Sequence, residues 1–147
     1  MEYSQIEILF IADNHHEGEL TKKMLKKNNL VNKLKYIDDG AEALDFIFSK
    51  GAYADRNHLS NIRLVMLDIK LPNVEGLEIL RQIKSNEQTK SIPVLMLIPS
   101  PEEKGIIESY RPGVNSYIVK PVSFESFNKA VAELGFCWMI LNQDTNL

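Results

Sequence analysis

The strongest constraint on the fold is a regular alternation along the chain. Short apolar runs that read as strands are each followed by a segment with helical spacing. Ile6–Ile11 is a mostly apolar run ended by Ala12-Asp13-Asn14, and residues 16–28 then space Leu20, Met24 and Leu25 among lysines, as an amphipathic helix does. Leu34–Ile37 is a second strand. Asp38-Asp39-Gly40 is turn chemistry, with Asp39 placed to cap a helix carrying Ala41, Leu44, Phe46, Ile47 and Phe48. Leu64–Leu67 runs straight into Asp68. Leu71-Pro72-Asn73 breaks it, and Gly76–Lys84 forms a third helix. Pro93–Ile98 is a fourth strand closed by Pro99, residues 102–110 a weak helix, and Tyr117–Val119 a fifth strand ending at Lys120-Pro121. Ser123 caps a last helix from Phe124 onward. Five βα units in sequence predict an α/β fold, a parallel sheet with helices on both faces. Continuously apolar strands agree, because strands covered on both sides have no polar face.

A chain of 147 residues fits one domain. Residues 49–61 are its longest polar connection, and no linker marks a second unit. The expected organisation is a single domain over 1–147, with a core at 5–134 and an apolar helical extension at 135–147. A net charge of −3 argues against a nucleic-acid binder. One cysteine, Cys137, excludes an internal disulfide and suits a reducing compartment. No run approaches the roughly 18 apolar residues of a membrane span. The N-terminus has neither the basic start nor the cleavage site of a signal peptide. A cytoplasmic protein is expected.

In an open parallel sheet, ligands bind beyond the carboxyl ends of the strands. Asp13 follows the first strand, Asp68 ends the third and Lys120 ends the fifth. One such aspartate is commonly a turn former or cap. Together, two carboxylates suit a divalent cation such as Mg²⁺, which takes oxygen ligands and keeps several waters, and a lysine beside them suits an anion.

The stretches ILFIADN, LVMLDIKLPNVEGLEIL, IPVLML and NSYIVKPVSFESF resemble the response-regulator receiver domains of the CheY-like superfamily. The block around Asp68 and the Lys120-Pro121 pair are the most specific. The 49–62 loop and the ending LGFCWMILNQ further resemble the stand-alone regulators that partner bacterial phytochromes. The resemblance implies a doubly wound, five-stranded flavodoxin-like fold. It implies that Asp68 is the phosphoacceptor and that Lys120 contacts the phosphoryl group. Asp13, Asp68 and the backbone carbonyl of Lys70 would hold Mg²⁺, Pro121 is the proline often found cis, and Tyr117 is the aromatic that swings on activation. It implies a non-enzymatic phosphorelay protein fed by a sensor histidine kinase, with a phytochrome-type kinase as one candidate, and an output partner that the sequence does not name.

Two departures stand beside these matches. Ala12 occupies the place of an acidic residue, so weak Mg²⁺ binding is expected. Ile98 replaces the Thr or Ser whose hydroxyl bonds the phosphoryl oxygen, and Pro99 removes a backbone N–H next to it. The competing reading is therefore a pseudo-receiver, a binding module independent of phosphorylation. A small α/β enzyme lacks support, since G-x-S-x-G, P-loop and G-x-G-x-x-G motifs are missing.

Other residues take plainer readings. His15 and His16 open the first helix without an HExxH-type partner motif. Lys22, Lys23, Lys26 and Lys27 form a solvated face, and Cys137 is packing. Phe136, Trp138, Met139, Ile140 and Leu141 cover more than one helix face, so a homodimer built on the tail is expected.

Overall fold

The computed structural model describes residues 8–13, 15–27, 34–51, 62–71, 73–103, 116–120 and 122–133. Five strands, β1 (Ile8–Ile11), β2 (Leu34–Ile37), β3 (Leu64–Asp68), β4 (Val94–Ile98) and β5 (Ser116–Val119), form one parallel sheet in the order β2-β1-β3-β4-β5. The described helices are α1 (His15–Lys27), α2 (Gly40–Phe48), α3 (Gly76–Ser85) and α4 (Phe124–Glu133).

The apolar runs form strands because both of their faces are covered. Every residue of β1, β3 and β4 is buried. One face of the sheet carries Leu9, Ile11, Val65, Leu67, Val94, Met96 and Ile98, packed against Phe46 and Ile47 of α2 and Ile79, Leu80 and Ile83 of α3. The other carries Phe10, Ala12, Met66, Leu97 and Ile118, packed against Leu25 of α1 and Phe127 and Ala130 of α4. The chain steps from β1 outward to β2, then reverses to β3, β4 and β5. Right-handed crossovers in opposite directions place helices on opposite faces, which makes the sheet doubly wound. The reversal lies between β1 and β3, and the crevice it opens is where such folds bind ligands.

The caps match the sequence. The Asp39 carboxylate accepts from the backbone N–H groups of Ala41 and Glu42, starting α2. Ser123 Oγ accepts from Ser126 N at 3.1 Å while Ser126 Oγ accepts from Ser123 N at 3.0 Å, a reciprocal capping box in which serine serves at the third position. Of the weak helix expected at 102–110, only Glu102 and Glu103 fall among the described residues. The described part is a short 3₁₀ turn at Pro101–Glu103, which suits a segment opened by Pro101 and carrying two adjacent acidic residues. Residues 104–110, the 52–60 loop, Pro121, Cys137 and the tail lie outside the described residues.

Candidate functional site

β3 delivers Asp68 to the carboxyl edge of the sheet, on the same side as Leu64 and Met66. The side chain is nearly enclosed, the residue being 3% exposed. Lys120 follows β5, the edge strand, and reaches across the end of β4 to place Nζ 2.6 Å from Asp68 Oδ2. The Lys70 N–H donates to Asp68 Oδ1 at 3.2 Å. Both carboxylate oxygens are thus engaged. Burial pushes the Asp68 pKa above its ordinary value, against the pull of the Lys120 hydrogen bond and charge. Burial alone would lower Lys120. The Asp68 and Glu17 carboxylates hold it above its ordinary value, so it stays a cation.

Glu17 is the member of this cluster that sequence reasoning missed. It lies in the first turn of α1, and its Oε1 accepts from Lys120 Nζ at 3.1 Å. One ammonium therefore bridges two carboxylates from different elements. Gly18, the next residue, carries the signal that was available. A Cβ there would lie 2.9 Å from the Tyr36 ring, so the glycine lets α1 approach β2 closely. Tyr36 in turn donates its hydroxyl to the Ala12 carbonyl at 2.9 Å. Its pKa is pushed up to about 12 by burial and then by the charges of Asp38, Asp13, Asp68 and Glu17. Those charges locate Asp13 at the same end of the sheet. Asp13 is exposed.

Ala12 is 1% exposed and contributes no oxygen. It lines a cavity of about 50 Å³ with Phe10, Leu20, Leu97, Glu17 and Lys120. Among the described residues, no three His, Cys, Asp or Glu side chains gather as a metal cluster. Asp13 and Asp68 are nonetheless hard oxygen donors, and a cation that retains several waters needs few protein ligands. The donor set fits Mg²⁺ with one carboxylate fewer than a full acidic pair would give.

Ile98 ends β4 one residue past Leu97, the strand partner of Asp68, and it and Tyr117 pack on the other face of the sheet. Ile98 is fully buried in the α2–α3 face of the core, and Tyr117 is half-buried against that same cluster. The Ile98 carbonyl accepts from Lys120 N at 2.9 Å, which ties the ends of β4 and β5 together. His15 is exposed, as expected of a residue opening α1, but is not alone. Its Nε2 lies 2.7 Å from Asp38 Oδ2 and its ring meets Tyr36 edge-on.

The family model described as response regulator receiver domain matches residues 8–132, most of the chain. The chain belongs to the response-regulator receiver family. Among solved structures, the bacteriophytochrome response regulator RtBRR is 43% identical with a TM-score of 0.85, over 94% of this chain and 82% of that one. The bacteriophytochrome response regulator AtBRR is 42% identical with a TM-score of 0.84, over 94% and 98%. Response regulator Rcp1 of Synechocystis sp. is 31% identical over 132 residues, 90% of this chain and 88% of its own. A Mn²⁺-bound structure of Rcp1 superposes with a TM-score of 0.70. Receiver domains are the signalling modules of two-component systems, and this receiver has the flavodoxin-like fold and CheY-like homology of the family. Among the described residues, no helix is long and apolar enough to cross a membrane.

Proposed function

We propose that this receiver accepts a phosphoryl group on Asp68 from a sensor histidine kinase of phytochrome type and signals by protein–protein contact. The observation that carries the reading is the buried Asp68 carboxylate held 2.6 Å from Lys120 at the carboxyl edge of the sheet. In the transfer, an Asp68 oxygen forms a bond to phosphorus while the bond from phosphorus to the kinase imidazole nitrogen breaks, and the imidazole departs with that electron pair. Lys120 faces the oxygens on which charge accumulates, and positioned charge is where phosphoryl transfer gains most of its catalysis. A Mg²⁺ ion held by Asp13, Asp68 and the Lys70 carbonyl would supply further charge neutralisation, weakly bound because Ala12 adds no carboxylate. Lys70 N–H and the buried walls around Asp68 fix the carboxylate and exclude bulk water.

The similarity to two bacteriophytochrome response regulators supports the choice of kinase class. The protein acts as a single-domain, cytoplasmic, non-enzymatic regulator, and its apolar 136–141 segment supports a homodimer. Ile98 and Ala12 favour a second reading, a pseudo-receiver whose contacts do not depend on phosphate. Incubation with acetyl phosphate and Mg²⁺ followed by intact mass decides between them. The expected result is one added phosphoryl group, lost in Asp68→Asn. An unmodified natural chain refutes the first reading.

A further inference from the structure

The segment after the phosphoacceptor is clamped at two places. At its far end Gly76 lies so close to β3 that a Cβ would meet the Asp68 carbonyl oxygen at 2.1 Å, and Gly76 N donates to the Ile69 carbonyl at 3.1 Å. In its middle the segment meets the β2–α2 turn. Asn73 holds a left-handed backbone, φ 70°, and its Nδ2 donates to Asp39 Oδ2 at 2.9 Å. One residue further, the Val74 carbonyl packs on Gly40, where a Cβ would come within 2.1 Å. Asp39 thus divides its carboxylate: Oδ1 caps α2 through Ala41 N and Glu42 N, and Oδ2 holds Asn73. An N-cap alone needs only one oxygen, and serine or asparagine supplies it equally well.

We propose that Asp39 is a positioning residue for the phosphoacceptor loop, acting through Asn73 to hold the segment that carries Lys70 against the Asp68 carboxylate. The proposal rests on the reading of Asp68 as phosphoacceptor. Lys70 spans the two functions, because its N–H fixes Asp68 Oδ1 and its carbonyl belongs to the expected cation site. The loop leaves β3 at Ile69, whose N–H donates to the Leu97 carbonyl and whose own carbonyl accepts from Gly76, so its ends are tied and its middle needs a tie of its own. The Asp39–Asn73 bond crosses 34 residues of sequence to do that. Asn suits position 73 twice over, since it tolerates positive φ and offers an amide donor.

The hydrogen bond can be inverted without changing net charge. Asn73→Asp sets two carboxylates facing each other and breaks the latch. Adding Asp39→Asn keeps the cap oxygen and turns an amide donor toward the new carboxylate, restoring it. Asp39→Asn alone keeps both contacts once the Asn73 amide rotates. Three readouts apply to the full chain: melting temperature, amide exchange of residues 69–76 without metal, and the rate of phosphorylation by acetyl phosphate across a Mg²⁺ series. Asn73→Asp is expected to speed loop exchange and slow phosphorylation about three- to tenfold, the weight of one hydrogen bond. Both effects should revert in the double variant, with melting temperatures little changed. Faster loop exchange with an unchanged phosphorylation rate overturns the proposal, as does a double variant no better than Asn73→Asp. If the natural chain accepts no phosphoryl group, the functional reading fails. The latch is then judged by Mn²⁺ affinity from paramagnetic relaxation, where equal affinities in the natural chain and Asn73→Asp overturn it.

Discussion

Ile98→Thr restores a hydroxyl at the end of β4 and separates phosphoacceptance from switching. In the unmodified protein the change is costly. Ile98 is fully buried among Val94, Met96 and the α2–α3 side chains. Losing a methyl-sized volume there costs about 0.5–1.5 kcal/mol, and burying an unpaired hydroxyl about 1–3 kcal/mol more. The sum, about 1.5–4.5 kcal/mol, is large beside a total stability of about 5–15 kcal/mol. Beryllofluoride, a phosphoryl mimic on Asp68, gives that hydroxyl an anionic acceptor worth about 1.5–3 kcal/mol. With about 2–4 °C per kcal/mol at this chain length, the mimic should raise the melting temperature of the variant roughly 3–12 °C more than it raises that of the natural chain. Tyr117 ring signals report the coupling directly. The natural chain lacks a contact that differs between the two states at position 98, so its Tyr117 should hold one orientation with or without the mimic. Equal thermal gains in the two proteins, or a full Tyr117 shift in the natural chain, would refute the reasoning.

Glu17→Gln removes a negative charge beside the transferring group and leaves Lys120 to Asp68; phosphorylation by acetyl phosphate should quicken about two- to fivefold, the weight of a partly exposed ion pair, and a slower variant would show that Glu17 assists instead. Asp68→Asn should melt higher at pH 7. Burial holds the Asp68 pKa above 3.8, so this group's stabilising effect is full below 3.8 and is lost as pH rises through the raised value, and the variant's advantage should vanish on acidification. Ala12→Glu should tighten Mg²⁺ in an NMR titration, and an unchanged affinity would count against the carboxylate argument. The intact chain should sediment as a dimer at tens of micromolar and a version ending at Leu134 as a monomer; a monomeric intact chain would remove the role given to the tail.

The strands were legible because a doubly covered parallel sheet leaves no polar alternation to confuse the reading, and β1, β3 and β4 carry almost nothing but aliphatic residues. Asp39 was legible as a cap because capping is a local rule. Its second oxygen was not, since the contact with Asn73 depends on the β3–α3 segment folding back to the β2–α2 turn. Glu17 was hidden for the same reason. It sits among His15, His16 and Glu19 on a charged helix start, and only closure of the sheet brings Lys120 to it across 103 residues. Asp68 and Lys120 could be paired from their strand ends because the C-terminal edge of a parallel sheet gathers whatever follows each strand.

The two faces of the sheet divide the site's labour. Asp68, Lys120, Glu17 and Ala12 belong to the α1–α4 side, while Ile98 and Tyr117 pack on the α2–α3 side. A phosphoryl group on Asp68 biases a distant surface only through contacts that differ between states. On the α2–α3 side the isoleucine offers none. On the α1 side the proposed phosphoryl group would compete with Glu17 for the single Lys120 ammonium, a differential contact seated in the first turn of a surface helix. Chemistry retained at Asp68 with coupling removed at Ile98 therefore need not yield an inert protein. On the proposed function, the consequence of phosphorylation is expected at α1, where Lys22, Lys23, Lys26 and Lys27 present their charge, rather than at β5 and Tyr117.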